Sequence, residues 1–143
     1  MNKKINIGII GATGSVGKST LAIILKFKSL FNITFLAAES NYKLLAQYAK
    51  ESGAKNIVLT NKKQFNLLKE ECSSLGILAN IACGKEFLID LIKDSNQVIL
   101  VANNGIEALD YILQCIYNNQ TIILANKEAL VSAGSIINSS LQN

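Results

Sequence analysis

The chain has no arginine, histidine, proline or tryptophan, and only three cysteines among its 143 residues. All 14 basic residues are therefore lysine, a skew that genome composition explains as readily as function does. The lysines stand singly or in pairs and leave a net charge of +4. A nucleic-acid groove wants a concentrated basic stripe with aromatics or arginine. The scattered lysines read instead as a solvated face, and no nucleic-acid partner is expected. Cys72, Cys83 and Cys115 lack metal-ligand spacing and mostly sit among apolar residues. That pattern suits reduced core thiols in a cytoplasmic protein. The apolar run after Lys4 is soon broken by glycine, so neither a signal peptide nor a membrane span is expected. Internal repeats, low-complexity segments and linkers are also missing.

What is present is enough for one domain. Half of the residues are hydrophobic and 17% are charged, and a chain of this length buries roughly two-thirds of its unfolded surface. It is short for an enzyme that needs both a nucleotide domain and a substrate domain. Short apolar runs predict strands at 5–10, 33–38, 56–59, 79–82, 97–102 and 121–125. Between them, periods near 3.6 predict helices at about 16–27, 42–52, 62–75, 85–93, 107–117 and 128–141. In the second helix Leu44, Leu45, Tyr48 and Ala49 share one face, with Lys43, Lys50 and Glu51 outside. Strands that are apolar throughout fit a sheet covered on both sides. The fold class is α/β: an open, mainly parallel, Rossmann-like sheet with helices on both faces.

The first strand runs straight into Gly11-x-x-Gly14-x-x-Gly17, which opens a helix. Glycine allows the tight turn and lets the backbone approach a pyrophosphate, whose charge meets the free N–H groups of the helix N-terminus. A rival pattern overlaps it. Ala12-x-x-x-x-Gly17-Lys18-Ser19 differs from a P-loop only by alanine for the first glycine. A P-loop ATPase or GTPase also needs a strand-end carboxylate for its Mg²⁺. Among the strand ends only Glu39 is acidic, and none carries aspartate.

Glu39 has a meaning of its own. An acidic residue at the end of the second strand commonly bonds the adenosine ribose hydroxyls of NAD and repels the 2′-phosphate of NADP. Ser40 and Asn41 beside it are able to donate hydrogen bonds to a phosphate, so cofactor preference stays open here. Glu39 and Asn41 also read simply as the start of a helix. A second polar cluster, Asn126-Lys127-Glu128, follows the last strand at the same sheet edge. Lys127 offers a cation and Glu128 a carboxylate near a nicotinamide or an anionic substrate. Asn103 and Asn104 are placed to line the same crevice. The alternative is a helix cap, with Asn126 as N-cap and Glu128 in the positive first turn.

Taken together, Gly11-Ala12-Thr13-Gly14-Ser15-Val16-Gly17 and Leu124-Ala125-Asn126-Lys127-Glu128-Ala129-Leu130 resemble the N-terminal domain of the 1-deoxy-D-xylulose 5-phosphate reductoisomerase family. The resemblance spans essentially the whole chain but only the leading part of such an enzyme. It implies an NADP-dependent oxidoreductase making 2-C-methyl-D-erythritol 4-phosphate in non-mevalonate isoprenoid biosynthesis. The implied cofactors are NADPH and a divalent metal, Mg²⁺ or Mn²⁺. By resemblance, Thr13, Gly14, Ser15 and Val16 hold the cofactor pyrophosphate, and Ser40 and Asn41 sit near the adenosine 2′-phosphate. Asn126 and Glu128 lie in the cofactor site, and Lys127 approaches the substrate.

The chain departs from the family pattern at two places. Glu39 stands where the family usually has glycine. The segment from Asn104 to Tyr111 keeps Gly105 but lacks the second glycine and the proline of the usual motif. Metal-assisted rearrangement needs convergent carboxylates, and those here are scattered over strand ends and helix faces. Residues 1–143 are therefore expected to form a cofactor-binding domain without the metal-binding catalytic and C-terminal domains, inactive by itself. A homodimer is implied for the full-length enzyme only. The alternatives are a P-loop ATP- or GTP-binding protein and a non-catalytic remnant or partner protein.

Overall fold

The computed structural model describes residues 3–94, 97–105, 107–125 and 127–142. Strand and helix alternate along the chain: β1 (Ile5–Ile10), α1 (Ser15–Lys26), β2 (Phe31–Ala38), α2 (Tyr42–Ser52), β3 (Asn56–Leu59), α3 (Phe65–Ser74), β4 (Asn80–Cys83), α4 (Lys85–Ile92), β5 (Val98–Val101), α5 (Ala108–Tyr117), β6 (Thr121–Leu124) and α6 (Lys127–Leu141). The strands form one sheet in the order β4-β3-β2-β1-β5-β6, and every neighbouring pair is parallel. The chain steps outward from β1 to β4, then returns across the sheet to lay β5 on the other side of β1. That reversal puts α1, α2 and α3 on one face, through Leu21, Leu45 and Leu68. It puts α4, α5 and α6 on the other, through Leu88, Ile112 and Ile137.

Both faces of the inner strands are therefore apolar, as their unbroken hydrophobic runs require. Ile9, Phe35, Leu36, Ile57, Leu59 and Ile99 are fully buried, each stabilising the fold by roughly 1.5–3 kcal/mol of transfer free energy. Local chemistry sets the helix ends. The Asn41 side chain accepts from the Leu44 N–H at 3.3 Å to start α2. Gly53, at φ +68°, closes that helix in the left-handed region.

A bulge lies between β1 and β2. Ile7 pairs with Ile33, but Gly8 pairs with Phe35. Thr34 is thus the extra residue, and the face presented by β2 changes there. Gly8 makes room for the result: a Cβ at position 8 would lie 2.2 Å from the Phe35 ring. The Thr34 hydroxyl donates to Gln97 Oε1 at 2.7 Å. Gln97 Nε2 in turn donates to the carbonyls of Leu91 (2.8 Å) and Asp94 (3.0 Å). Gln97 is the buried polar side chain among the described residues, and this network satisfies it.

The expected fold class stands, with three local differences. β2 begins earlier, at Phe31. A 3-10 turn at Lys62–Gln64, started by Asn61 Oδ1 accepting from the Lys63 N–H, precedes α3. The last helix is broken at Ala133 (φ −138°, ψ 22°), directly before Gly134, where a helix bends most cheaply. On the edge strand β6, Ile123 remains 49% exposed. There only the face under α5 and α6 is covered.

Candidate functional site

Because β2 and β5 flank β1 but continue to opposite faces, the loops after β1 and β5 part at the C-terminal edge of the sheet. A parallel sheet opens its ligand crevice at such a reversal. One wall is formed by Gly11, Thr13 and Gly14 after β1. Glu39, Ser40 and Asn41 after β2, with Thr60 after β3, form the next. Asn103 and Asn104 after β5, with Glu107 and Tyr111, form the far side. The enclosed part measures about 210 Å³, less than the roughly 300–1,000 Å³ that surrounds a compact ligand.

The three glycines of the first loop serve different purposes. Gly11 has φ +85°, and a Cβ there would lie 2.6 Å from the Asn103 nitrogen. A Cβ on Gly17 would lie 2.3 Å from the Gly11 carbonyl oxygen. Both are demanded by packing inside the fold. Gly14 is different: a Cβ would meet only the Gly11 oxygen, at 3.5 Å. The space in front of Gly14 is open, and the fold itself gives no reason for a bare backbone there. Gly14 is also the N-cap of α1, with no side-chain cap and no acidic residue in the first turn. The first amides of α1 are thus left to an anion from outside.

The charge of the crevice is negative. Among the described residues Glu39 and Glu107 are its charged lining, and no lysine lines it. Tyr111 is 6% exposed. Burial first, then the carboxylates of Glu107, Asp110 and Glu86, push its phenol up to about 12, so it stays a neutral donor. Lys85 lies over the Tyr111 ring, 5.8 Å from its centroid, and pairs with Asp110 rather than with Glu107 or Glu39.

The structure gathers Thr13, Gly14, Glu39, Ser40 and Asn41 around one crevice. Ser15 and Val16 begin α1 at its rim, both exposed. Asn41 does cap α2, so the helix-start reading and the crevice position hold together. Lys127 and Glu128 begin α6, both exposed, and do not line the crevice. Glu128 Oε2 instead accepts from the Gly105 N–H at 2.7 Å. Asn126 lies outside the described residues. The P-loop pattern finds no support: neither Lys18 nor Ser19 lines the crevice, and the Ser19 hydroxyl donates to the Ser15 carbonyl at 3.0 Å. Sequence reasoning misses Thr60, Glu107 and Tyr111. The available signal is the i, i+4 spacing of Glu107 and Tyr111, which puts both on one face.

A parallel sheet that reverses its strand order at a glycine-lined helix N-terminus is a Rossmann-type domain, the class that binds dinucleotides at that crevice. Within that class the chain belongs to the 1-deoxy-D-xylulose 5-phosphate reductoisomerase family, whose model matches residues 7–134. The 1-deoxy-D-xylulose 5-phosphate reductoisomerase of Porphyromonas gingivalis is 35% identical over 135 residues, covering 94% of this chain and 34% of the relative. The enzyme from Zymomonas mobilis, solved in complex with NADPH, superposes with a TM-score of 0.90 at 32% identity, over 98% of this chain and 36% of that one. A reductoisomerase solved with magnesium gives a TM-score of 0.89 at 30% identity, over 98% of this chain and 35% of the other. The chain thus spans about a third of the length of its relatives.

Proposed function

We propose that this chain is the NADPH-binding part of a 1-deoxy-D-xylulose 5-phosphate reductoisomerase, with the crevice between β1 and β5 as its cofactor site. The observation that carries the reading is Gly14. Its missing side chain serves no internal contact, and it opens an uncapped helix toward the crevice. Thr13, Gly14, Ser15 and Val16 would meet the pyrophosphate through backbone N–H groups. Glu39, Ser40 and Asn41 would face the adenosine ribose. Asn126 and Glu128 would belong to the cofactor site, Glu128 by holding the Gly105 loop, and Lys127 would offer a cation to an anionic substrate. Bound NADPH supplies hydride in the reduction that yields 2-C-methyl-D-erythritol 4-phosphate. These residues bind and orient it.

The family's Mg²⁺ or Mn²⁺ does not fit here. Among the described residues no group of three His, Cys, Asp or Glu side chains is placed to hold a metal ion. We assign the metal, the sugar-phosphate rearrangement and the homodimer of the full-length enzyme to the two-thirds of the relatives' length that this chain does not span. The unpaired thiols of Cys72, Cys83 and Cys115 support a cytoplasmic location. Partners are the small-molecule cofactor and, in the full-length enzyme, its sugar-phosphate substrate, not nucleic acid or membrane. Titrating the purified chain with NADPH and following nicotinamide fluorescence tests the cofactor reading. Saturable binding supports it, and no binding of NADPH or NADH at millimolar concentration overturns it.

A further inference from the structure

Glu39, the residue directly after β2, is exposed and sits on a fixed backbone. Its carbonyl accepts from the Asn61 N–H at 2.9 Å, and the Ala38 carbonyl accepts from the Thr60 N–H at 3.0 Å. Two residues later Asn41 starts α2. Among the described residues the Glu39 carboxylate makes no hydrogen bond or ion pair, yet it lines the crevice. Nothing in the fold uses this charge.

In a Rossmann-type domain the end of the second strand faces the adenosine ribose. A carboxylate there accepts hydrogen bonds from the ribose hydroxyls, and such charge-assisted bonds are roughly twice as strong as neutral ones. The same carboxylate repels a phosphate monoester on that ribose, which carries about −1.5 to −2 charges at neutral pH.

A site built for that phosphate would offset the carboxylate with a cation, and the nearby lysines do not. Lys43, in the first turn of α2, lines a depression on the other side of Asn41, with Gln47 and Glu51, and not the crevice. Lys62 leans toward Gly84 at the end of β4, its Cε 3.6 Å from where a Gly84 Cβ would lie. Lys85 is held by Asp110. The second charged group of the crevice, Glu107, adds a further negative charge.

We infer that Glu39 sets the adenosine end of this site to accept the unphosphorylated dinucleotide, so that NADH binds at least as tightly as NADPH. The inference rests on the dinucleotide reading given above, and the two fail separately. The test compares dissociation constants of NADH and NADPH for the purified chain and for Glu39→Gln and Glu39→Gly, each shown to be folded by circular dichroism. The expected result is an NADH constant equal to or below that of NADPH in the unmodified chain. Both variants should shift the ratio toward NADPH by about tenfold, the size of a two-charge repulsion at the protein surface. Added salt should shrink that shift. Tenfold or tighter binding of NADPH by the unmodified chain, or a ratio that the variants leave unchanged, overturns the role of Glu39 and leaves the dinucleotide site standing. Failure of both cofactors to bind overturns the site and this inference with it.

Discussion

Glu128 Oε2 accepts a hydrogen bond from the Gly105 N–H at 2.7 Å, tying the first turn of α6 to the loop that follows β5. Gly105 sits at φ +86°, where an L side chain is strained, so the loop relies on glycine for its shape and on Glu128 for its hold. The carboxylate that the Asn-Lys-Glu motif supplies is thus engaged with the protein itself. The loop it bonds also carries Asn103 and Asn104, which line the crevice.

Replacing Glu128 with alanine should therefore free that loop without unfolding the sheet. The bond is exposed, so its loss should cost about 1 kcal/mol locally, equivalent to roughly fivefold faster amide exchange at Gly105. Hydrogen exchange read by NMR checks this. Glu128→Gln, which keeps an acceptor oxygen, should fall between the two.

The three loop glycines should separate stability from binding. Gly17→Ala pushes a Cβ against the Gly11 and Ala12 backbone, and overpacking of that kind costs about 1–3 kcal/mol. Gly11→Ala adds a strained φ to a similar clash. Gly14→Ala should melt within a few degrees of the unmodified chain yet lose cofactor affinity. Thermal melts paired with cofactor titration separate the two classes.

Removing Gln97 should be among the costliest polar changes. Gln97→Ala leaves the Thr34 hydroxyl without its acceptor and removes one donor each from the Leu91 and Asp94 carbonyls, which keep the Asp94 N–H and Gln120 Nε2 respectively. The expected loss is about 1–3 kcal/mol, visible as a lower urea midpoint with an unchanged slope.

Alkaline pH should destabilise the fold through two buried groups. Burial pushes the Cys115 thiol from its ordinary 9.0 up to about 12, and Tyr111 rises from 10.0 to about 12. In each case the unfolded chain loses its proton first. Stability is fully present below the unfolded value and is lost as pH climbs toward the folded one. Melting temperatures should fall from about pH 9 for the thiol and from about pH 10 for the phenol. The fall between pH 9 and 10 should be shallower in Cys115→Ala.

Alternation of apolar runs and 3.6-residue periods makes the α/β class and most element boundaries legible in the sequence, because both signals are local. The glycine turn is legible for the same reason. Three features depend on tertiary packing and are not. The Thr34 bulge arises because the Phe35 ring needs the space over Gly8, on a neighbouring strand. The break at Ala133 interrupts a pattern that sequence reads as one helix. Glu107 and Tyr111 reach the crevice only because α5 packs over β5. Sequence position puts the Lys127 and Glu128 pair at the correct sheet edge, but nearness to the crevice does not distinguish lining it from bracing it.

The fit of Phe35 over Gly8 also constrains the order in which this protein can change. Any side chain at position 8 collides with the ring, so Gly8→Ala alone should be rejected. Phe35→Leu alone leaves a void, costing on the order of 1 kcal/mol. The tolerated path to a double substitution therefore runs through position 35 first. Residues 8 and 35 should behave as a single heritable unit, with a strong coupling energy in a double-mutant cycle.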